Sequence, residues 1–140
     1  MKKQTLTLIG VLTLLLAAGS ALAQNIRVQG DIPFQFAVDK DILPAGHYSI
    51  QSVGTPEGMT LALRGDESKT VRLVNTHSVE SLAAAQQTKL VFKRYGASYF
   101  LSEVWVAGNS AGHQLRQSSR EKEMARDNQP REVVVMASLR

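Results

Sequence analysis

The chain has 140 residues, no cysteine and a formal net charge of +4, with 44% hydrophobic and 20% charged residues. That length fits one domain, and the missing cysteine excludes both a disulfide framework and any thiolate metal site. Charges of both signs are interspersed, as in Arg120-Glu121-Lys122-Glu123, so the clustered basic face that nucleic acid binding requires is not foreseen.

Met1-Lys2-Lys3 precedes an uncharged stretch from Gln4 to Asn25 centred on Leu6, Leu8, Ile9, Val11, Leu12 and Leu14-Leu15-Leu16. A positive end, an apolar run and small residues at Ala21 and Ala23 make a secretory signal helix, with cleavage expected between Ala23 and Gln24. The polar Thr5, Thr7, Thr13 and Ser20 shorten the apolar part below what an uncleaved transmembrane helix needs. The domains expected are therefore a signal peptide over 1–23 and a single β-rich domain over 24–140, the latter exported to the periplasm or the cell exterior. Loss of Lys2 and Lys3 lowers the charge from +4 to +2.

From Gln24 to Ala107 short alternating segments are punctuated by Gly, Pro, Asn and Asp, which is a strand signature. In Ile32-Pro33-Phe34-Gln35-Phe36-Ala37-Val38 the residues Phe34, Phe36 and Val38 share a face, and Pro33 belongs at a strand start or edge because it lacks an N–H. Asp39-Lys40-Asp41 ends that strand. Leu43-Pro44-Ala45-Gly46 fits a type I turn leading into His47–Ser52, and Gly54-Thr55-Pro56-Glu57-Gly58 closes it. Met59–Arg64 and Lys69–Asn75 alternate again around Gly65-Asp66-Glu67-Ser68.

Residues 76–88 read as a loop with a helical turn, since Ser81-Leu82-Ala83-Ala84-Ala85 favours helix but supplies too few apolar positions for a buried face. Lys89–Tyr95, Gly96-Ala97 and Ser98–Val106 form a hairpin around a glycine turn. Both of its strands carry apolar residues on each face, with Tyr99, Leu101 and Trp105 set against Phe100, Val104 and Val106. Residues 113–128 read as a polar helix or loop, in which Ser118 and Glu121 form a capping box. Pro130 breaks the helix, and Val133–Ala137 is a last β-branched strand needing a partner edge.

About seven or eight strands without βαβ alternation point to a mainly all-β domain, an antiparallel sandwich or a small barrel, with a short charged C-terminal helix. The blocks Ile32-Pro33-Phe34-Gln35-Phe36, Leu43-Pro44-Ala45-Gly46-His47-Tyr48, and Leu90-Val91-Phe92-Lys93-Arg94-Tyr95-Gly96 with Phe100-Leu101-Ser102-Glu103-Val104-Trp105 resemble a family of small, uncharacterised exported bacterial proteins. The similarity spans nearly the whole mature chain and departs at Leu115-Arg116, where relatives often carry proline after the leucine. It implies export and a compact β domain, and brings no activity, cofactor or site.

His47, His77 and His113 lack the close spacing of a metal site, and no Gly-x-Ser-x-Gly elbow, phosphate loop or dinucleotide fingerprint occurs. No catalytic, cofactor or metal residue is foreseen. Arg94, Tyr95, Tyr99 and Trp105 are the candidate binding surface, because aromatic faces beside a guanidinium suit sugars, peptides or protein partners; the competing reading is core packing of a central hairpin. The expected function is a non-catalytic envelope or secreted module binding a protein or polymer through one sheet face. The alternatives are a carrier of small apolar ligands inside a barrel cavity and an outer-membrane barrel, whose strands would have to be longer than these.

Overall fold

A computed structural model of the chain describes residues 26–54 and 59–139. The expected signal helix, the Ala23–Gln24 cleavage site and most of the turn at 54–58 lie outside the described residues. Eleven strands and one helix follow in order: β1 (Arg27–Ile32), β2 (Phe36–Val38), β3 (Asp41–Leu43), β4 (Gly46–Ser52), β5 (Thr60–Gly65), β6 (Val71–Glu80), β7 (Lys89–Tyr95), β8 (Ser98–Trp105), β9 (Ala111–Leu115), α1 (Ser119–Asp127), β10 (Arg131–Met136) and β11 (Ser138–Leu139). The described residues are mostly β with one short helix. Among the described residues no helix is long and apolar enough to cross a membrane.

The strands form one ladder in the order β10-β7-β8-β9-β6-β5-β4-β1-β11, with β2 pairing both β3 and β8 off this path. Two elements serve both halves of it. Val71–Asn75 of β6 pair with β5 while Thr76–Glu80 pair with β9, and β10 pairs with β7 while β11, beyond Ala137, pairs with β1. No ladder joins β10 to β1, so the sheet is not closed into a barrel.

Several elements differ from the sequence expectation. The segment expected as one strand over 32–38 is split at Pro33: β1 ends at Ile32 and the short β2 begins at Phe36. The strand ends at Val38 as expected, with Asp39, Lys40 and Asp41 exposed; Asp39 takes a φ of 53°, which a short polar side chain tolerates, and turns the chain into β3. Residues 76–80 are strand, not loop, because their partner is the unforeseen β9. In the hairpin, Glu103 faces Val91 and Leu101 faces Phe92, leaving Ser102 as an extra residue. That bulge reverses the face of everything after it, so Trp105 lies with Phe100 and not, as expected, with Tyr99 and Leu101.

The interior is a contiguous cluster containing Val28, Ile32, Phe36, Tyr48, Ile50, Leu61, Leu63, Leu90, Phe92 and Val104, each at most 2% exposed. Edge-to-face contacts link Tyr48 to Phe36 (5.1 Å), Phe36 to Phe92 (5.5 Å) and Phe92 to Phe34 (4.9 Å). They tie β4 to β7 through the interior, each pair adding about 0.5–1.5 kcal/mol to what burial supplies. A second cluster, Ala37, Tyr95 and Phe100, lies on the opposite face of the hairpin beneath Met124 of α1.

The helix starts as its sequence suggests: Ser118 has extended backbone and its Oγ accepts from Glu121 N at 3.2 Å. The Glu121 side chain turns inward instead of completing the capping box. It is 5% exposed, the only buried residue of α1, and Tyr95 Oη donates to its Oε1 at 3.3 Å. Burial holds its carboxyl above the ordinary range, opposed by the Lys93 charge and the Tyr95 hydroxyl. Burial and then the Glu121 charge raise the Tyr95 phenol as well.

Candidate functional site

Cross-strand neighbours share a face, which fixes what the outer surface of β10-β7-β8-β9 and the second half of β6 displays. One row runs His77, Gln114, Glu103, Val91, Val134 and the next contains Trp105, Lys89, Met136. The His77 ring N–H donates to Gln114 Oε1 at 2.8 Å, and Trp105 Nε1 donates to Glu103 Oε2 at 2.7 Å. A hydrogen bond to a charged acceptor is worth about 1.5–3 kcal/mol, so the indole plane is fixed.

The indole owes its seat to Gly112 on β9. A Cβ there would fall 2.7–2.9 Å from Trp105 Cδ2, Cε3 and Cε2, closer than real carbons approach, so only glycine lets the ring lie flat on the strand. Residues 81–88 then fold over this end of the face. Ser81 N donates to Ser110 O and Ala85 N to Asn109 O, both at 2.8 Å, while Gly108 N donates back to Ala85 O at 2.8 Å. Thr88 Oγ1 accepts from Ala107 N at 3.1 Å. The helix-forming alanines are thereby held as an irregular strap.

Between strap and sheet lies an open groove of about 450 Å³. Its floor holds Trp105 and Val91; Ala83, Ala84, Gln86 and Gln87 form a wall, and Lys89, Glu103 and Glu132 supply charge. Trp105 and Val91 are themselves nearly buried, at 8% and 3% exposed, so the chemistry on offer is a narrow apolar strip at the floor with amide and carboxylate hydrogen bonding around it. An extended polar chain with intermittent apolar faces matches that combination.

The structure brings together only two of the four residues singled out from the sequence. Arg94 and Tyr99 are cross-strand partners on the core-side face, at the hairpin's turn end. Tyr95 is on the other face beneath α1 and is 2% exposed. Trp105 is on that same outer face but at the far end, over Gly112. Glu103, Lys89, Gly112, Glu132 and the strap were not foreseen; a glycine in a strand marks a close approach, but the strand that carries Gly112 was itself unforeseen.

The histidines occupy three separate settings. His47 Nδ1 lies 2.7 Å from Asp31 Oδ1 and its Nε2 lies 3.8 Å from Asp66 Oδ2, on the opposite half of the ladder. His113 Nδ1 meets Thr76 Oγ1 at 3.2 Å. Thr76 gives its own proton to Met59 O at 2.7 Å, so His113 must be the donor to Thr76. Burial lowers the His113 pKa. Among the described residues no three His, Asp or Glu side chains gather where a metal ion could be held.

Comparison of the chain with protein-family models, curated proteins and solved structures finds no match. The functional reading therefore rests on the groove and the fold that carries it.

Proposed function

We propose that the protein is an exported, non-catalytic binding module that lays an extended partner segment or polymer across the outer face of β10-β7-β8, in the groove between the strap and Trp105. The observation that carries this reading is the groove itself: an indole immobilised on Gly112 and Glu103, flanked by Gln86, Gln87, Lys89 and Glu132. The two halves of the ladder, joined by β6 and by the segment 131–139, read as a sandwich whose interior is filled by side chains. That favours a surface binder over a carrier with an apolar cavity, because the interior space a carrier needs is taken by the Tyr48, Phe36 and Phe92 rings.

The test uses the only tryptophan of the chain as its own probe. Titration with soluble fractions of the host's cell-wall and exopolysaccharide polymers should change Trp105 emission saturably. Gln87→Ala combined with Glu132→Lys alters exposed positions and leaves the fold intact, and it should weaken that binding at least 10-fold. Tyr99→Ala, on the other face, should leave it unchanged. Unaltered binding by the double variant rules out the groove, and no binding by the parent rules out these polymers as its occupant.

A further inference from the structure

At the turn end of the core-side face, Arg131 of β10 stands directly opposite Arg94 of β7, which in turn stands opposite Tyr99 of β8. Directly opposed residues place their Cβ atoms about 4.5–5.5 Å apart, and like charges in that arrangement are destabilising. Among the described residues neither guanidinium has a carboxylate within 4.0 Å: the ion pairs are those of His47 with Asp31 and Asp66 and of Arg72 with Asp41. The register thus sets two like charges side by side on this face.

Arg94 is nevertheless fixed in place. Its Nε donates to Gly96 O at 2.7 Å, and its guanidinium carbon sits 5.4 Å from the centroid of the Tyr99 ring. That ring is stacked on Phe34 at 3.8 Å with 15° between planes, so the platform under the guanidinium is itself rigid. The carbonyl contact uses one donor and leaves the two Nη groups of Arg94 available; Arg131 contributes a second fork. Both line an open concavity of about 210 Å³ with Gly96 and Gln129, room for a tetrahedral oxyanion and the start of what carries it.

We propose that the Arg94–Arg131 pair is an anion site for a small soluble phosphate monoester, held by forked hydrogen bonds from both guanidinium groups with the Gln129 amide beside them. Arginine forks match phosphate oxygens in pairs, and an anion placed between the two cations converts their repulsion into shared attraction. The site lies on the opposite face from the Trp105 groove and stands independently of the function proposed for it.

The experiment is thermal unfolding and amide NMR of the full chain in chloride buffer, titrated with inorganic phosphate and with glycerol phosphate at constant ionic strength. The parent should show a saturable rise in melting temperature, with shifts confined to the Gly96, Gln129 and Arg131 amides. Arg131→Ala should melt at or above the parent's temperature without phosphate, since a repulsion is relieved, and should bind phosphate at least 10-fold more weakly. Arg131→Glu, which would pair with Arg94, should raise the melting temperature and abolish the phosphate response. An Arg131→Ala variant that responds to phosphate like the parent, or a parent that shows only the effect of ionic strength, overturns the proposal. Binding to phosphatidylglycerol vesicles with no response to soluble phosphate would overturn it too, because the ligand would then be a surface.

Discussion

Replacing Gly112 with alanine tests how Trp105 is held. In an ordinary strand interior this substitution stabilises by roughly 0.5–1 kcal/mol, because alanine loses less backbone freedom on folding. At Gly112 the added carbon would meet three atoms of the indole at 2.7–2.9 Å. The neighbour on the other side is the ring rather than a flexible chain end, so the indole must lift. Overpacking of this kind costs about 1–3 kcal/mol, and lifting the ring strains or breaks the 2.7 Å bond to Glu103, worth about 1.5–3 kcal/mol when fully lost. Partial exposure of Glu103 lets water recover some of that. The net expectation is a destabilisation of about 2 kcal/mol, or roughly 8 °C in melting temperature for a domain of this size. Because the chain has a single tryptophan, its emission should shift to the red in the folded variant as the ring moves toward the groove. Urea unfolding followed by both emission and far-UV dichroism gives the two quantities together. A variant as stable as the parent, with unchanged emission, would refute the account of Trp105 as a ring seated on glycine.

Two further outcomes follow from α1. Glu121→Gln keeps an acceptor for the Tyr95 hydroxyl and removes the charge. The folded-state pKa of Glu121 is raised, so its favourable contribution is complete below the unfolded value of about 4.5 and is lost as pH rises through the folded value. The variant should therefore match the parent near pH 4 and exceed it in melting temperature at pH 8; a difference that is constant with pH would contradict the burial of this carboxyl. Ser118→Ala removes the acceptor for Glu121 N and should cost about 1 kcal/mol, measured by denaturant titration, whereas Ser118→Gly should cost only a few tenths. Equal losses for the two would show that the cap is not what starts the helix.

Much of this fold was legible because periodicity two is hard to disguise in strands that bury one face. The Lys89–Tyr95 and Ser98–Trp105 hairpin was readable from its apolar residues and its Gly96 turn, and Ser118 with Glu121 marked the helix start. What escaped has identifiable causes. Ala111–Leu115 pairs through its backbone with β6 and carries Gly112, His113 and Gln114, so no apolar alternation betrays it. Thr76–Glu80 is hidden for the same reason, each segment being strand only because the other is. The bulge at Ser102 is invisible to any even-spacing argument, and it moved Trp105 away from Tyr99. The buried carboxyl of Glu121 sits in a run of charges where nothing distinguishes it from its solvated neighbours. Only tertiary packing against Tyr95 sets it apart.

The segment 131–139 also constrains when the domain can form. β10 and β11 follow every other strand in chain order, yet they supply one partner for β7 and another for β1, the two strands that would otherwise flank the ladder's gap. Val28 and Leu139 are paired across more than a hundred residues, a closure whose entropy must be spent before the contact returns anything. Such long-range pairings slow folding and give it a late commitment step. A chain emerging from synthesis or from a membrane pore would hold the hairpins it can make locally, but could not lock until this segment had also emerged. The placement of β10 and β11 at the end of the chain thus ties completion of the fold to the arrival of its last nine described residues.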